Sequence, residues 1–183
     1  MIGSSTGGLK VLEEIFPRLP VLNAAVVIIQ HITPLVDKSF VTSLARMSNM
    51  PISLAEEGTV IQSGRVYLAP GGVHLTLIRN SIVHLHDGEK VNSVRPSVDV
   101  AMKSLIAPAG IKIAGVILTG MGSDGSAGIA HIKLLGGSTI AQDEKTSVIY
   151  GMPRAAVETG KIDFILPTEK IADKMAEIFG CCR

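Results

Sequence analysis

The sequence predicts an α/β fold: a doubly wound, mostly parallel sheet covered by helices on both faces, with an antiparallel hairpin excursion. Short apolar runs rich in β-branched residues alternate with stretches of helical periodicity, as in parallel sheets whose strands are joined by crossover helices. The chain has 183 residues, of which 46% are hydrophobic and 18% are charged, which favours one domain with a sizeable core. Only 3% are aromatic and none is Trp, so the core must be aliphatic.

The elements of the parallel sheet follow from the apolar runs and from the turn residues between them. Buried strands are predicted at Ala24–Gln30, Ile113–Thr119, Ser138–Ala141 and Phe164–Leu166. Helices are predicted at Leu9–Arg18, Asp37–Asn49, Val98–Ala107, Ala127–Leu135, Arg154–Thr159 and Glu169–Phe179. Pro153 and Gly160 flank one of these helices as typical start and stop residues. A further strand is expected at Met1-Ile2, which is too short to be whole, so we expect the chain to be a piece of a longer protein.

The middle of the chain has a different pattern. Val66–Ala69, Leu75–Ile78 and Ile82–Leu85 are short apolar runs separated by turn residues. We therefore expect these three runs to form antiparallel hairpins that are inserted into the parallel sheet or flank it.

Composition excludes several classes of partner. The net charge is +1 and no run of Lys or Arg is present, so no nucleic-acid partner is expected. No apolar run approaches the roughly 20 residues of a membrane span, and the first residues lack the basic region of a signal peptide. Cys181 and Cys182 are adjacent, so they cannot cross-link the fold, and no cysteine or histidine cluster has zinc spacing. A reduced, cytoplasmic protein without membrane insertion is expected.

A candidate nucleophile lies near the start of the chain. Gly3-Ser4-Ser5-Thr6-Gly7-Gly8 precedes an amphipathic stretch, and the window Gly3-x-Ser5-x-Gly7 fits the turn on which many hydrolases expose a serine. The following helix would direct backbone N–H groups at negative charge that develops near Ser5. The same loop is also compatible with phosphate binding or with a simple turn, so the motif by itself is weak.

Two further polar residues lie close after predicted strands. His31 follows Ala24–Gln30, and Asp124 lies in the loop after Ile113–Thr119. Active sites of open α/β sheets form beyond the carboxyl ends of the strands, so Ser5, His31 and Asp124 converge if their strands are neighbours. They would then supply a nucleophile, a general base and a carboxylate that orients the base. Taken singly, each residue has an ordinary structural role: a turn serine, a boundary histidine, and an aspartate that caps the following helix.

A rival motif uses the same glycines. Gly120-x-Gly122-x-x-Gly125 follows a predicted strand and opens a predicted helix, and Asp143 lies about 20 residues further on, as in a dinucleotide-binding oxidoreductase. Asp124 argues against this alternative because a carboxylate would lie where the pyrophosphate must approach. A receptor-binding module with a degenerate site is a third possibility.

Several segments together resemble the catalytic domain of the bacterial chemotaxis protein-glutamate methylesterases, the CheB family. They occur in family order over nearly the whole chain, and six motifs in order are much more specific than any one. The matching segments are Ile2-Gly3-Ser4-Ser5-Thr6-Gly7-Gly8, Gln30-His31, Tyr67-Leu68-Ala69-Pro70-Gly71 with His74, Arg95-Pro96-Ser97-Val98-Asp99, Leu118-Thr119-Gly120-Met121-Gly122-Ser123-Asp124-Gly125, and Gln142-Asp143-Glu144 followed by Tyr150-Gly151-Met152-Pro153.

The resemblance implies that Ser5 is the nucleophile, His31 the base and Asp124 the orienting carboxylate, with the backbone N–H groups of Thr6 and Met121 as the oxyanion hole. It implies demethylation of glutamyl methyl esters on chemoreceptor signalling helices, deamidation of receptor glutamines, and no metal or cofactor. Residues 1–183 would then be a methylesterase catalytic domain. The receiver domain and linker that are usual in the family are absent from this chain, so a receiver domain is expected only in a longer parent protein.

Overall fold

The computed structural model describes residues 1–106 and 110–181. Its strands are β1 (Ile2–Ser4), β2 (Val26–Gln30), β3 (Ile52–Leu54), β4 (Val66–Leu68), β5 (His74–Ile78), β6 (Ile82–His86), β7 (Ala114–Ile117), β8 (Ser138–Gln142) and β9 (Phe164–Leu166). Its α-helices are α1 (Gly8–Ile15), α2 (Asp37–Ala45), α3 (Val98–Lys103), α4 (Ser126–Leu134), α5 (Met152–Glu158) and α6 (Thr168–Phe179), and Pro34–Val36 forms a 3-10 turn.

A seven-stranded parallel sheet organises the fold, with the strand order β3-β4-β2-β1-β7-β8-β9. The chain starts at β1 in the middle and forms β2 and the edge strand β3, and β4 then fills the position between them. It returns to the other side of β1 to build β7, β8 and β9 outward. This is the predicted doubly wound arrangement. The strand order reverses between β1 and β7, and this switch point is where open α/β sheets form their sites.

Helices cover both faces of the sheet, and β2 shows how the sequence achieves this. Val26 and Ile28 pack into the aliphatic core on one face, whereas Val27 and Ile29 pack into the core on the other. Successive side chains of a strand point to opposite faces, so a strand buried on both sides must be apolar throughout. Helices α1, α2 and α6 cover the first face, and α3, α4 and α5 cover the second.

The antiparallel excursion is smaller than predicted. Strands β5 and β6 form the expected hairpin, but Val66–Ala69 does not belong to it. This run contains β4, which lies between β2 and β3 in the parallel sheet. A three-residue buried strand carries no sequence signal for its direction. The turn residues after it mark where the chain leaves the sheet, not a reversal beside β4.

Several predicted boundaries shift by a few residues. Helix α2 ends at Ala45, before the predicted end at Asn49. Helix α3 ends at Lys103, and Ala107, the predicted end of that helix, lies outside the described residues. Cys181 is free and exposed, and Cys182 also lies outside the described residues. Among the helices of residues 1–106 and 110–181, none has the length and apolar character that a membrane crossing requires.

Candidate active site

Ser5, His31 and Asp124 lie at the carboxyl edge of the sheet, on either side of its switch point. Ser5 follows β1, His31 follows the neighbouring β2, and Asp124 lies in the loop between β7 and α4. Ser4 and Gln30 are partners in the parallel register, and the backbone N–H of His31 donates to Ser4 O at 3.1 Å. Ser5 and His31 therefore leave the sheet side by side.

His31 and Asp124 are joined directly. The distance between His31 Nε2 and Asp124 Oδ2 is 2.8 Å. Because a carboxylate only accepts hydrogen bonds, the Nε2 of a neutral His31 carries the proton and Nδ1 has the free lone pair. No hydrogen bond within residues 1–106 and 110–181 engages Nδ1 or the hydroxyl of Ser5. The ring therefore presents Nδ1 as its basic nitrogen, whereas in the usual serine triad the carboxylate binds Nδ1 and Nε2 is the base.

Asp124 is a buried, ionised carboxylate, only 2% exposed. Burial raises its pKa, but hydrogen bonds from other groups outweigh this effect and lower the pKa to about 2. The carboxylate therefore stays charged at neutral pH and keeps accepting from His31. Its donors are His31 Nε2 and Val98 N on Oδ2, and Asn92 Nδ2, Ser97 Oγ and Asp99 N on Oδ1.

The two aspartates of this region cap each other's helices. Asp124 accepts the N–H of Val98 at 2.6 Å, at the start of α3, instead of capping the helix that follows it. Asp99, in the first turn of α3, accepts the N–H groups of Gly125 at 3.0 Å and Gly128 at 2.7 Å, at the start of α4. Carboxylates at helix N-termini satisfy unpaired N–H groups and favour the helix dipole, so this exchange fixes the Asp124 loop.

The dinucleotide interpretation of the Gly120–Gly125 loop is wrong. The first N–H groups of α4, which would have to bind a pyrophosphate, are already bonded to the buried carboxylate of Asp99. Asp143, the expected ribose ligand, accepts the N–H and hydroxyl of Thr146 at 3.0 and 2.7 Å in a local turn. An anionic ligand would lie against the carboxylates of Asp99 and Asp124, which is unfavourable.

The structure distinguishes the two adjacent serines. Ser4 is buried, and its hydroxyl donates to Gln30 Oε1 at 2.6 Å. Gln30 Nε2 in turn donates to Ser5 O at 2.8 Å, so Gln30 holds the turn in place. At Gly8, a Cβ would lie 2.2 Å from Gln30 Oε1, and Gly7 has a φ of 81°, so both glycines are needed. Gln30 belongs to a segment that matches the family, but its contacts with Ser4 and Ser5 were not predicted from the sequence.

The two candidate oxyanion donors flank Ser5. A Cβ at Gly120 would lie 2.8 Å from Ser5 Cβ, so the chain leading into Met121 runs against Ser5. Thr119 connects the two segments, because its carbonyl accepts Ser5 N at 3.0 Å and its hydroxyl donates to Thr6 O at 3.0 Å. Neither Thr6 N nor Met121 N takes part in a hydrogen bond within the described part of the chain, so both are free to donate.

An apolar groove of about 530 Å³ opens beside Ser5, between α1 and α2, and includes Val36 and Phe40 in its lining. Three large apolar side chains are exposed close in sequence or space to residues of this groove. Leu35 precedes the groove residue Val36 and is 95% exposed, Met121 follows Gly120 and is 75% exposed, and Val148 lies against Gly7 and is 53% exposed. A second cavity of about 580 Å³ lies at the amino ends of the strands, and Lys112 has the only charged side chain among its described lining residues. None of those described residues is a histidine, a cysteine or an acid, so the groove beside Ser5 is the candidate substrate site.

The remaining histidines are engaged elsewhere. His131 Nε2 lies 2.8 Å from Leu105 O. His74 has Nε2 at 2.9 Å from Glu89 O, and His84 pairs with Glu57. Within the described residues, no group of three or more His, Cys, Asp or Glu side chains is arranged to hold a metal ion.

Known proteins are similar to this chain in sequence. The sequence model for CheB methylesterase matches residues 1–175. The protein-glutamate methylesterase/protein-glutamine glutaminase of Pyrococcus horikoshii is 42% identical over 180 residues, covering 96% of this chain and 49% of that protein. The protein of the same name from Sulfurimonas denitrificans is 42% identical over 182 residues, covering 98% of this chain and 52% of its own length. The chain thus spans about half the length of these curated relatives.

A solved structure agrees with the fold. The crystal structure of the Thermotoga maritima CheB methylesterase catalytic domain superposes with a TM-score of 0.91 at 39% identity, covering 96% of this chain and 95% of that one. The match therefore extends over both halves of the sheet. On the sequence match over residues 1–175 and this structural agreement, the chain belongs to the CheB methylesterase family.

Proposed function

We propose that this chain is a serine-type carboxyl ester hydrolase that removes methyl groups from glutamyl methyl esters of chemoreceptors and also deamidates receptor glutamines. The observation that carries the proposal is the 2.8 Å contact between His31 Nε2 and the ionised Asp124, at the end of the strand that neighbours the one leading to Ser5. The names of the relatives at 42% identity support the choice of substrate.

In the proposed mechanism, Ser5 Oγ attacks the ester carbonyl carbon while His31 Nδ1 accepts the hydroxyl proton. Asp124 holds the resulting imidazolium through Nε2. The carbonyl oxygen becomes an oxyanion, which Thr6 N and Met121 N stabilise, an effect worth about 3 kcal/mol per donor. His31 then protonates the methoxy oxygen, the C–O bond breaks, and methanol leaves. Water, deprotonated by His31, attacks the acyl-enzyme and releases glutamate and free Ser5.

Deamidation needs the same steps with another leaving group. For a glutamine side chain, His31 protonates the amide nitrogen and ammonia leaves in place of methanol. Water again releases glutamate from the acyl-enzyme. Both reactions thus place the same carboxylate on the receptor, which is the pairing that the relatives' name describes.

The proposed partner is the helical signalling region of a methyl-accepting chemoreceptor in the cytoplasm. Residues 1–183 would act as the catalytic domain, with a receiver domain in a longer parent protein. The exposed apolar side chains around Ser5 support a macromolecular substrate, because apolar surface next to a catalytic groove favours docking of a partner.

The proposal is tested by methanol release. The purified chain is mixed with a receptor fragment methylated with labelled methyl groups, and volatile label is measured over time. We expect methanol release that stops after treatment with a fluorophosphonate. The phosphonyl group should then be found on Ser5. No release, or tight binding of NAD(H) in a titration, would contradict the proposal.

Leu35 offers a test of receptor docking. Its side chain is 95% exposed, so Leu35→Ser leaves the core intact. We expect KM for the methylated receptor fragment to rise about 10-fold, the size of one lost apolar contact of about 1.4 kcal/mol, while hydrolysis of a small ester such as p-nitrophenyl acetate is unchanged. Leu134→Ser is the matched control, since Leu134 is 80% exposed at the far end of α4. Equal effects of the two changes would refute a docking role for Leu35.

A further inference from the structure

The side chain of Asn92 bridges two carboxylates of the candidate active site. Asn92 Nδ2 donates to Asp124 Oδ1 at 2.8 Å and to Asp99 Oδ2 at 2.9 Å. Asp124 and Asp99 are both buried. Asp124 caps α3, and Asp99 caps α4. One amide group therefore lies between two acidic side chains that the fold holds close together.

This bridge requires a group with two donors. Carboxylates only accept hydrogen bonds, and like charges held close together repel one another. The NH₂ of an asparagine supplies one hydrogen to each carboxylate, without adding charge. Rotating the amide by 180° would set Asn92 Oδ1 against two carboxylate oxygens, so the hydrogen bonds fix its orientation.

The contact with Asp124 helps to set which way that carboxylate faces. Asn92 and Ser97 donate to Oδ1 beside the N–H of Asp99, while the N–H of Val98 and His31 Nε2 share Oδ2. Ser97 also caps α3, because its hydroxyl accepts the N–H of Val100, so its removal would disturb the helix. Asn92 lies outside the helices and strands, and within residues 1–106 and 110–181 its amide makes hydrogen bonds to the two carboxylates alone.

We infer that Asn92 is a positioning residue: its amide keeps the Asp99 and Asp124 carboxylates apart and holds Asp124 in the orientation that fixes the His31 tautomer. The expected effect of Asn92 on kcat rests on the proposed esterase function. The expected effect on the His31 tautomer, through Asp124, is independent of that function.

The backbone at Asn92 allows clean substitutions. Its φ is 54°, in the left-handed region that glycine, asparagine and aspartate tolerate best. Asn92→Gly removes the amide, and Asn92→Asp keeps the shape but replaces the donor with a third acidic group. Asn80 is the matched control: its φ is 61°, its amide makes two hydrogen bonds to the backbone of Ile106, and it lies in the β5–β6 turn.

The first experiment compares kcat and KM of the variants. We expect Asn92→Gly to lower kcat about 10-fold and Asn92→Asp about 100-fold, with KM within about twofold of the wild type, as is typical for residues that orient a catalytic group. Asn80→Gly and Asn80→Asp should leave kcat unchanged. If Asn92 only shapes its turn, Asn92→Asp will match the wild type, and that result overturns the inference.

The second experiment needs no substrate. Nitrogen-15 NMR of the His31 ring reports which nitrogen carries the proton. We expect a protonated Nε2 and a bare Nδ1 in the wild type, and a mixture of tautomers in Asn92→Asp. An unchanged His31 spectrum in Asn92→Asp would also overturn the inference. A wild type with this His31 signature but without esterase activity would instead contradict the proposed function alone.

Discussion

Ester hydrolysis is expected to disappear when Ser5 is replaced by alanine. The change removes the only protein atom that forms a covalent bond to the substrate carbon in the proposed mechanism. Losing a nucleophile of this kind lowers kcat by about 10⁶-fold in a well-studied serine hydrolase. Ser5 is outside the core clusters and its hydroxyl has no partner within residues 1–106 and 110–181, so the fold should survive. The measurement is the initial rate of methanol release, together with the thermal unfolding midpoint.

Ser4→Ala is the matched control one residue away. The hydroxyl of Ser4 is buried and bonded to Gln30, so its loss costs about 1–3 kcal/mol of stability. The kcat of Ser4→Ala should fall less than about 10-fold, because Ser4 affects the reaction only through the position of the turn that carries Ser5. If Ser5→Ala retains activity while Ser4→Ala loses it, the nucleophile has been assigned to the wrong serine.

The placement of Ser5, His31 and Asp124 could be predicted from the sequence because it depends on topology. Each follows an apolar run closely, and parallel strands bring their carboxyl ends to one edge of the sheet. The prediction needed only the correct neighbours, which the doubly wound order provides by placing β1 between β2 and β7. No exact element boundary was required, so errors of a few residues had no effect.

Features that depend on side-chain contacts across the chain could not be predicted. From its position in the sequence, Asp99 is an ordinary first-turn residue of α3. In the structure its carboxylate caps α4, where it would repel the phosphates of a dinucleotide. Asn92 lies 32 positions from Asp124, in a loop with no periodic pattern. The direction of β4 depends on where the chain re-enters the sheet, which its three apolar residues do not encode. The polar network behind the candidate triad is therefore a result of the structure.

Replacement of Asp124 by asparagine should also lower kcat strongly, although by about 100-fold less than the loss of Ser5. An amide NH₂ facing His31 would donate to Nε2, which would force the proton onto Nδ1 and remove the lone pair needed to activate Ser5. The equivalent change in a well-studied serine protease lowers kcat about 10⁴-fold for this reason. We expect a loss of similar size in kcat, with KM little changed and no covalent labelling of Ser5 by a fluorophosphonate.

Asp124→Asn should also destabilise the fold, because neither orientation of the amide suits the site. If the NH₂ of the new amide replaces Oδ2, it faces the N–H of Val98, which is also a donor. If the NH₂ replaces Oδ1, it faces the NH₂ of Asn92, again donor against donor. One donor is left unsatisfied in a buried position, at a cost of about 1–3 kcal/mol.

Asp163→Asn is the matched control. Asp163 also accepts a backbone N–H, that of Thr139, at 3.0 Å, but it lies at the amino end of β9 and pairs with Lys133. Its replacement should lower the unfolding midpoint without changing kcat. If Asp124→Asn reduces stability by the same amount as Asp163→Asn and keeps full esterase activity, Asp124 acts only as a helix cap. The contact with His31 would then have no role in the chemistry.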